Sequence, residues 1–125
     1  MKILLTTVSP NLESELDPRF GRGAYYLMID PDTLEWNAVA NPAIQAPGGA
    51  GIQSAQFVVN QQCDAVVSGD FGPNAYNALK AAGILMYRFG ISRTVSEVID
   101  RFKAGQLETL DVPGNAGHSG RGRMR

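Results

Sequence analysis

The apolar and polar positions of this chain fall into alternating short blocks, and each block has its own period. Lys2–Val8 (KILLTTV) is apolar and β-branched, which predicts a first strand at the centre of a sheet. Ser9–Pro18 (SPNLESELDP), with two prolines and three acids, has the composition of a surface loop. Ala24–Asp30 (AYYLMID) and Thr33–Ala40 (TLEWNAVA) flank Pro31 and Asp32 and predict a β-hairpin. In its second arm Leu34, Trp36, Ala38 and Ala40 alternate with Glu35, Asn37 and Val39, an imperfect pattern that suits a strand with one solvated face.

Past a connecting loop, Asn41–Pro47, the period lengthens. Gly48–Gly51 opens a predicted helix over Ile52–Gln61, where Ile52, Ala55, Gln56, Val59 and Asn60 follow the helical repeat and Phe57 and Val58 widen the apolar stripe. Ala65–Ser68 is short and apolar, as in a strand buried on both faces. Ser68-Gly69-Asp70-Phe71-Gly72 breaks that run, and Pro73 fits the first turn of a helix carrying Tyr76, Leu79 and Lys80, with Gly83 as its left-handed stop. Ile84–Phe89 predicts another strand. Thr94 as N-cap, with Glu97 completing a capping box, predicts a last helix with Val95, Val98, Ile99 and Phe102 on its apolar face and Gly105 at its end.

The order β, β-hairpin, α, β, α, β, α predicts one α/β domain with a mixed, five-stranded sheet and helices on its faces. The expected domain spans residues 1–112, and residues 113–125, rich in Gly and Arg, form a tail that the composition marks as mobile. A chain of 125 residues suits one core, and 44% hydrophobic with 18% charged residues is ordinary for a globular protein. The formal charge of −1 gives no global field for nucleic acid or membrane, so neither is expected as a partner. MKILLTTVSP is too short and strand-like for a signal peptide, and the cytoplasm is the expected location. A single cysteine, Cys63, excludes an internal disulfide and a Cys-rich metal site. With a single histidine, His118, imidazole and thiolate together offer one chain at most two metal ligands.

In open α/β sheets ligands sit beyond the carboxyl ends of the strands. Three segments are expected there: the loop with Arg19 and Arg22, the Gly48–Gly51 turn and Ser68–Asn74. The glycine turn lacks the Gly-Lys-Ser/Thr ending of a phosphate loop and is no dinucleotide fingerprint; it is either a flexible helix entrance or an anion-cradling helix N-terminus. Arg19 and Arg22 supply fixed, permanently charged donors, or else pair with Glu13, Glu15 or Asp17. Asp64 and Asp70 make no catalytic pair, Cys63 precedes a core strand with no histidine near it in sequence, and Ser9 and Ser68 have no evident base. His118 stands alone in the tail as a minor candidate ligand. The pattern describes a binding site without a catalytic apparatus. Its candidate residues are Arg19, Arg22, Gly48, Gly49, Gly51, Ser68, Gly69, Phe71, Gly72 and Asn74, with no metal ligand among them.

DPRFGRGAYYLMID, NPAIQAPGGAGIQSAQFVV, GPNAYNALKAAGI and TVSEVIDRFKAGQLETL, in this order and spacing from about Lys2 to Leu110, resemble the dinitrogenase iron–molybdenum cofactor biosynthesis proteins. The chain is most similar to their small stand-alone members, which include the orange protein of sulfate-reducing bacteria. The resemblance implies a ribonuclease-H-like, nitrogenase accessory factor-like fold. It also implies binding or delivery of a molybdenum-containing metal–sulfide cluster, of the Mo–Cu–S or Fe–Mo–S type, without turnover. A cluster donor or acceptor protein would then be a partner, and the isolated protein need not retain the cluster. Several cofactor-handling relatives carry histidine in the segment equivalent to Arg19–Arg22, where this chain has arginine. Sulfide-clad clusters are anions whose outer atoms accept hydrogen bonds, so backbone amides and arginine can hold one without a protein–metal bond. Two other classes stay open: a regulatory or interaction module without a cluster, and an enzyme or binder acting on a phosphorylated metabolite or nucleotide.

Overall fold

In the computed structural model, which describes residues 1–43 and 48–110, the first apolar run becomes β1 (Ile3–Thr7), buried at all five positions. Burial on both faces follows from its place in the sheet. β2 (Tyr25–Ile29) lies antiparallel on one side, with Ile3 opposite Ile29, and β4 (Ala65–Ser68) parallel on the other, with Ile3 opposite Ala65. β3 (Trp36–Ala40) pairs antiparallel with β2, and β5 (Leu85–Arg88) parallel with β4. The order is β3-β2-β1-β4-β5-β6, a mixed open sheet.

Among the described residues the sheet has six strands where the pattern predicts five. The addition, β6 (Glu108–Thr109), pairs antiparallel with β5 at the edge. Two residues leave no periodicity to detect; the pairing is fixed from outside, by the hydrogen bond from Leu110 N to Met86 O at 2.9 Å.

Because strand side chains alternate, the sheet has two apolar faces. Leu4, Tyr26, Met28, Val66 and Met86 pack under α1 (Ala50–Asn60) and α2 (Pro73–Ala81), meeting Ala55, Val58, Tyr76 and Leu79. Ile3, Leu5, Leu27, Ala65 and Val67 face α3 (Val95–Lys103) through Val95, Val98 and Ile99. Each fully buried Leu, Ile or Val contributes about 1.5–3 kcal/mol through removal from water, so the two layers supply most of the cohesion.

Three expectations are corrected in detail. α1 begins earlier than Ile52 and buries Ala50, Ser54, Ala55 and Val58, whereas Ile52 and Val59 are 51% and 38% exposed. Small side chains on the buried stripe let the helix sit close to the sheet. The Ser9–Pro18 loop is only partly on the surface: Ser14, Leu16 and Asp17 are buried, tied by Leu16 N to Arg93 O and Asp17 N to Thr6 O. β3 is an edge strand with no residue fully buried; Trp36 at its start is 40% exposed, and Leu34 just before it 51%. The α3 cap is as expected in Thr94, whose Oγ1 accepts from Glu97 N; Glu97 reaches back one residue further, to Arg93 N. The expected tail over residues 113–125, with His118, lies outside the described residues.

Candidate functional site

At the carboxyl end of β4 the chain turns through Ser68 and Gly69 before α2 begins. Ser68 is buried, its Oγ 2.9 Å from Thr6 Oγ1. Gly69 answers to packing: a Cβ there would stand 2.8 Å from Pro18 and 2.9 Å from the Phe89 ring. Both residues shape the turn from beneath.

α2 then opens at Gly72, extended at φ −66° and ψ 164°, with Pro73 at the first helical position and no side chain capping the turn. α1 opens at Gly49, in the left-handed region at φ 72°, also without a side-chain cap. Neither first turn carries an acid. The amides of Ala50, Gly51 and Ile52, and of Asn74 and Ala75, precede the first intrahelical bonds and so lack intrahelical acceptors. Both helix dipoles therefore present positive ends here.

The two openings are adjacent because Gly51 has no side chain: a Cβ would lie 3.2 Å from the Ala75 Cβ. The arginine loop closes the third side. Gly21, at φ 96°, comes so near α1 that a Cβ would stand 3.3 Å from Gly51 Cα. The result is a cleft of about 230 Å³ lined by Phe20, Gly21 and Arg22 from the loop, Gly49–Ile52 from α1 and Gly72–Ala75 from α2. Phe20 forms its apolar wall, 5.5 Å from the Phe71 ring and 6.2 Å from Tyr26.

Five of the predicted residues thus line one cleft: Arg22, Gly49, Gly51, Gly72 and Asn74. Five do not. Gly48 precedes the lining, Ser68 and Gly69 lie under it, and Phe71 backs Phe20. Arg19 turns to Asp17, its Nε and Nη2 each 3.1 Å from a carboxylate oxygen. Burial by itself raises the Asp17 carboxyl, but hydrogen bonds from the Arg19 side chain and backbone, with the guanidinium charge, outweigh it and hold the group below its ordinary value. The same pairing raises Arg19.

Asn41, assigned to a plain loop in the sequence, holds the arginine loop in place. Buried, it donates through Nδ2 to Gly21 O at 3.1 Å and Gly23 O at 2.8 Å, one carbonyl on each side of Arg22. Its Oδ1 accepts from Ala43 N. Tyr26 bonds Ser54 and ties β2 to α1. Burial pushes the Tyr26 phenol up to about 12 against the hydrogen bonds from Ser54 and Asn41, so it stays neutral. Nothing local in the sequence marks these two residues, because both act between distant segments.

Cys63 lies at the other end of β4, buried, its thiol pushed up to about 11 mainly by burial. Asp64 accepts from Lys2 N at 2.8 Å. Among the described residues no three or more His, Cys, Asp or Glu side chains gather as a metal site, and no helix is long and apolar enough to cross a membrane.

Residues 1–105 match the model of the family described as dinitrogenase iron-molybdenum cofactor. An uncharacterized protein of Methanocaldococcus jannaschii is 29% identical over 114 residues, covering 89% of this chain and 92% of its own length. The apo form of the orange protein from Desulfovibrio gigas superposes with a TM-score of 0.84 at 34% identity, over 91% of this chain and 96% of that one. A putative NifB protein from Thermotoga, assigned to the DUF35 family, superposes with a TM-score of 0.76 at 32% identity, over 93% and 98% of the two chains.

Proposed function

The chain belongs to the dinitrogenase iron-molybdenum cofactor family, and on that premise we propose that it carries an anionic, molybdenum-containing metal–sulfide cluster in its cleft without a covalent bond and without catalysis. The observation that carries this reading is the pair of adjacent, uncapped helix openings beside Arg22. Sulfide atoms on the outside of such a cargo accept hydrogen bonds, and the cleft offers donors. The donor set fits the cluster's sulfides and not its metal ions, since His, Cys and acidic side chains do not gather among the described residues.

In this account the amides of Ala50–Ile52, Asn74 and Ala75 take the inner sulfides and Arg22 covers the outer face. Gly48, Gly69 and Phe71 support the turns, and Arg19 stands at the rim with Asp17. Charge-assisted hydrogen bonds contribute about 1.5–3 kcal/mol each, so a handful suffices for tight retention. The cleft volume, about 230 Å³, is below the roughly 300–1,000 Å³ of sites for larger organic ligands, which favours a small inorganic anion over a nucleotide. The partners this reading requires are a protein that supplies the cluster or one that receives it, in the cytoplasm.

The test is to add tetrathiomolybdate and copper to the apoprotein and record the visible spectrum. A stable, protein-bound absorbance is expected in the wild type, in Cys63→Ala and in His118→Ala. A wild type that stays colourless contradicts the reading, and loss of colour in either folded variant replaces it with direct ligation.

A further inference from the structure

β3 ends the sheet on one side, and its pairing with β2 decides which of its backbone groups are spare. The register, with the bonds from Asp30 N to Glu35 O and from Asn41 N to Ala24 O, puts Glu35, Asn37, Val39 and Asn41 in the hydrogen-bonded pairs. The N–H and C=O groups of Trp36, Ala38 and Ala40 therefore point away from the sheet, and among the described residues they meet no backbone partner. An open row of this kind pairs with a further strand unless something blunts it. The opposite edge is blunted, because β6 has two residues and one of them is Glu108. β3 has five residues, none of them charged, proline or glycine, and it pairs with β2 without a bulge.

The same strand fits a second copy of itself. Laid antiparallel about Ala38, it sets Trp36 opposite the partner's Ala40 and Ala38 opposite the partner's Ala38. These side chains share one face of the sheet, that of Leu27 and Ile29, because they stand in register with Tyr25, Leu27 and Ile29. The bulkiest side chain of the strand thus meets a methyl group, and the exposed indole gains apolar cover. On the other face Asn37 meets the partner's Val39. The nearest acid, Glu35, stands on the order of 20 Å along the paired strands from its copy, well beyond the screening length of about 8 Å at physiological salt. No charged side chain occurs from Trp36 to Cys63, so the strand brings no like charge to its own copy.

We propose that two copies of the chain associate through β3, antiparallel and centred on Ala38, into one continuous sheet. The contact is isologous: the outward groups of Trp36 pair with those of the partner's Ala40, and those of Ala38 with the partner's Ala38. A single strand of five residues covers less than the roughly 800 Å² per partner of a stable interface, so the association is reversible and sets in between about 10 µM and 1 mM. This inference is independent of what the cleft binds.

The test combines sedimentation equilibrium with amide hydrogen exchange on the full-length chain from about 10 µM to 1 mM. The mass is expected to rise from one chain toward two. The amides of Asn37 and Val39, bonded to β2, should be protected throughout, whereas those of Trp36, Ala38 and Ala40 should gain severalfold protection only at the high concentrations. Ala38→Glu and Ala38→Lys each set like charges face to face at the centre of symmetry and should weaken association about tenfold or more. An equimolar mixture of the two variants should associate again, since opposite charges then meet. Where either variant fails to fold, by circular dichroism, the exchange pattern of the wild type decides alone. A single-chain mass at the highest concentration overturns the proposal, as do Trp36, Ala38 and Ala40 amides that exchange independently of concentration. Association that both variants leave intact, or a mixture no better than either variant, overturns it as well.

Discussion

α1 and α2 open with glycine at the N-cap and no side-chain cap hydrogen bond there, whereas α3, on the other face of the sheet, closes its own opening. Thr94 Oγ1 takes Glu97 N, and Glu97 adds an acid to that first turn. One chain therefore contains both solutions to the same problem of unpaired helix amides. Where a helix start serves only the fold, a local side chain satisfies it. Where two starts converge beside an arginine, the sequence withholds the cap and spaces the helices with Gly51. On the proposed function, the difference leaves these amides to an acceptor brought by the ligand.

The sharpest way to break the contrast is to give α2 the kind of cap α3 has. Gly72 has the extended backbone of an N-cap, and a Cβ there meets nothing within 4 Å. Gly72→Asp should therefore stabilise the fold by a few tenths of a kcal/mol in urea denaturation. Its carboxylate takes an α2 amide and adds a negative charge, so anion affinity should fall by about a hundredfold or more. Opposite signs from one substitution distinguish this from simple damage.

Arg22→Ala should weaken anion binding roughly tenfold to a hundredfold in a titration, and Arg22→Lys should restore part of it, since an ammonium lacks the planar fork. Thr94→Ala should cost about 1 kcal/mol of stability and leave anion affinity unchanged. The smallest effect belongs to Arg19→Ala, within about twofold in affinity, because its exposed guanidinium is engaged by Asp17. That pair has a pH signature instead. Asp17 sits below its ordinary 3.8 when folded, so its contribution is present above pH 3.8 and lost as the pH falls through the lower folded value. Asp17→Asn should flatten the acid limb of the stability curve below pH 3.8 and leave the neutral region little changed in slope.

Much of this contrast can be read along the chain. Thr94 and Glu97 announce a cap, and Gly48–Gly51 and Gly72-Pro73 announce helix starts that lack one. Strands buried on both faces, such as Ala65–Ser68, stand out as unbroken apolar runs. What escapes is whatever depends on distant partners. Arg19 and Arg22 look equivalent in sequence; in the fold Arg22 lines the cleft, while Asp17, held by its amide bond to Thr6 O, engages Arg19. Asn41 looks like a loop residue until its amide spans Gly21 and Gly23. Ile52 looks like core but is 51% exposed, and the buried stripe runs instead through Ser54, which Tyr26 gives a partner at the sheet. β6 is too short to carry any pattern.

The most direct measurement is a titration of ¹⁵N-labelled protein with tetrathiomolybdate and copper, following each backbone amide. The account predicts that Ala50, Gly51, Ile52, Asn74 and Ala75 shift together with the Arg22 side-chain resonance, and that Glu97 and Val98 in the capped start of α3 do not move. Shifts concentrated at α3, or at Cys63 and His118, with the α1 and α2 openings unmoved, would contradict it.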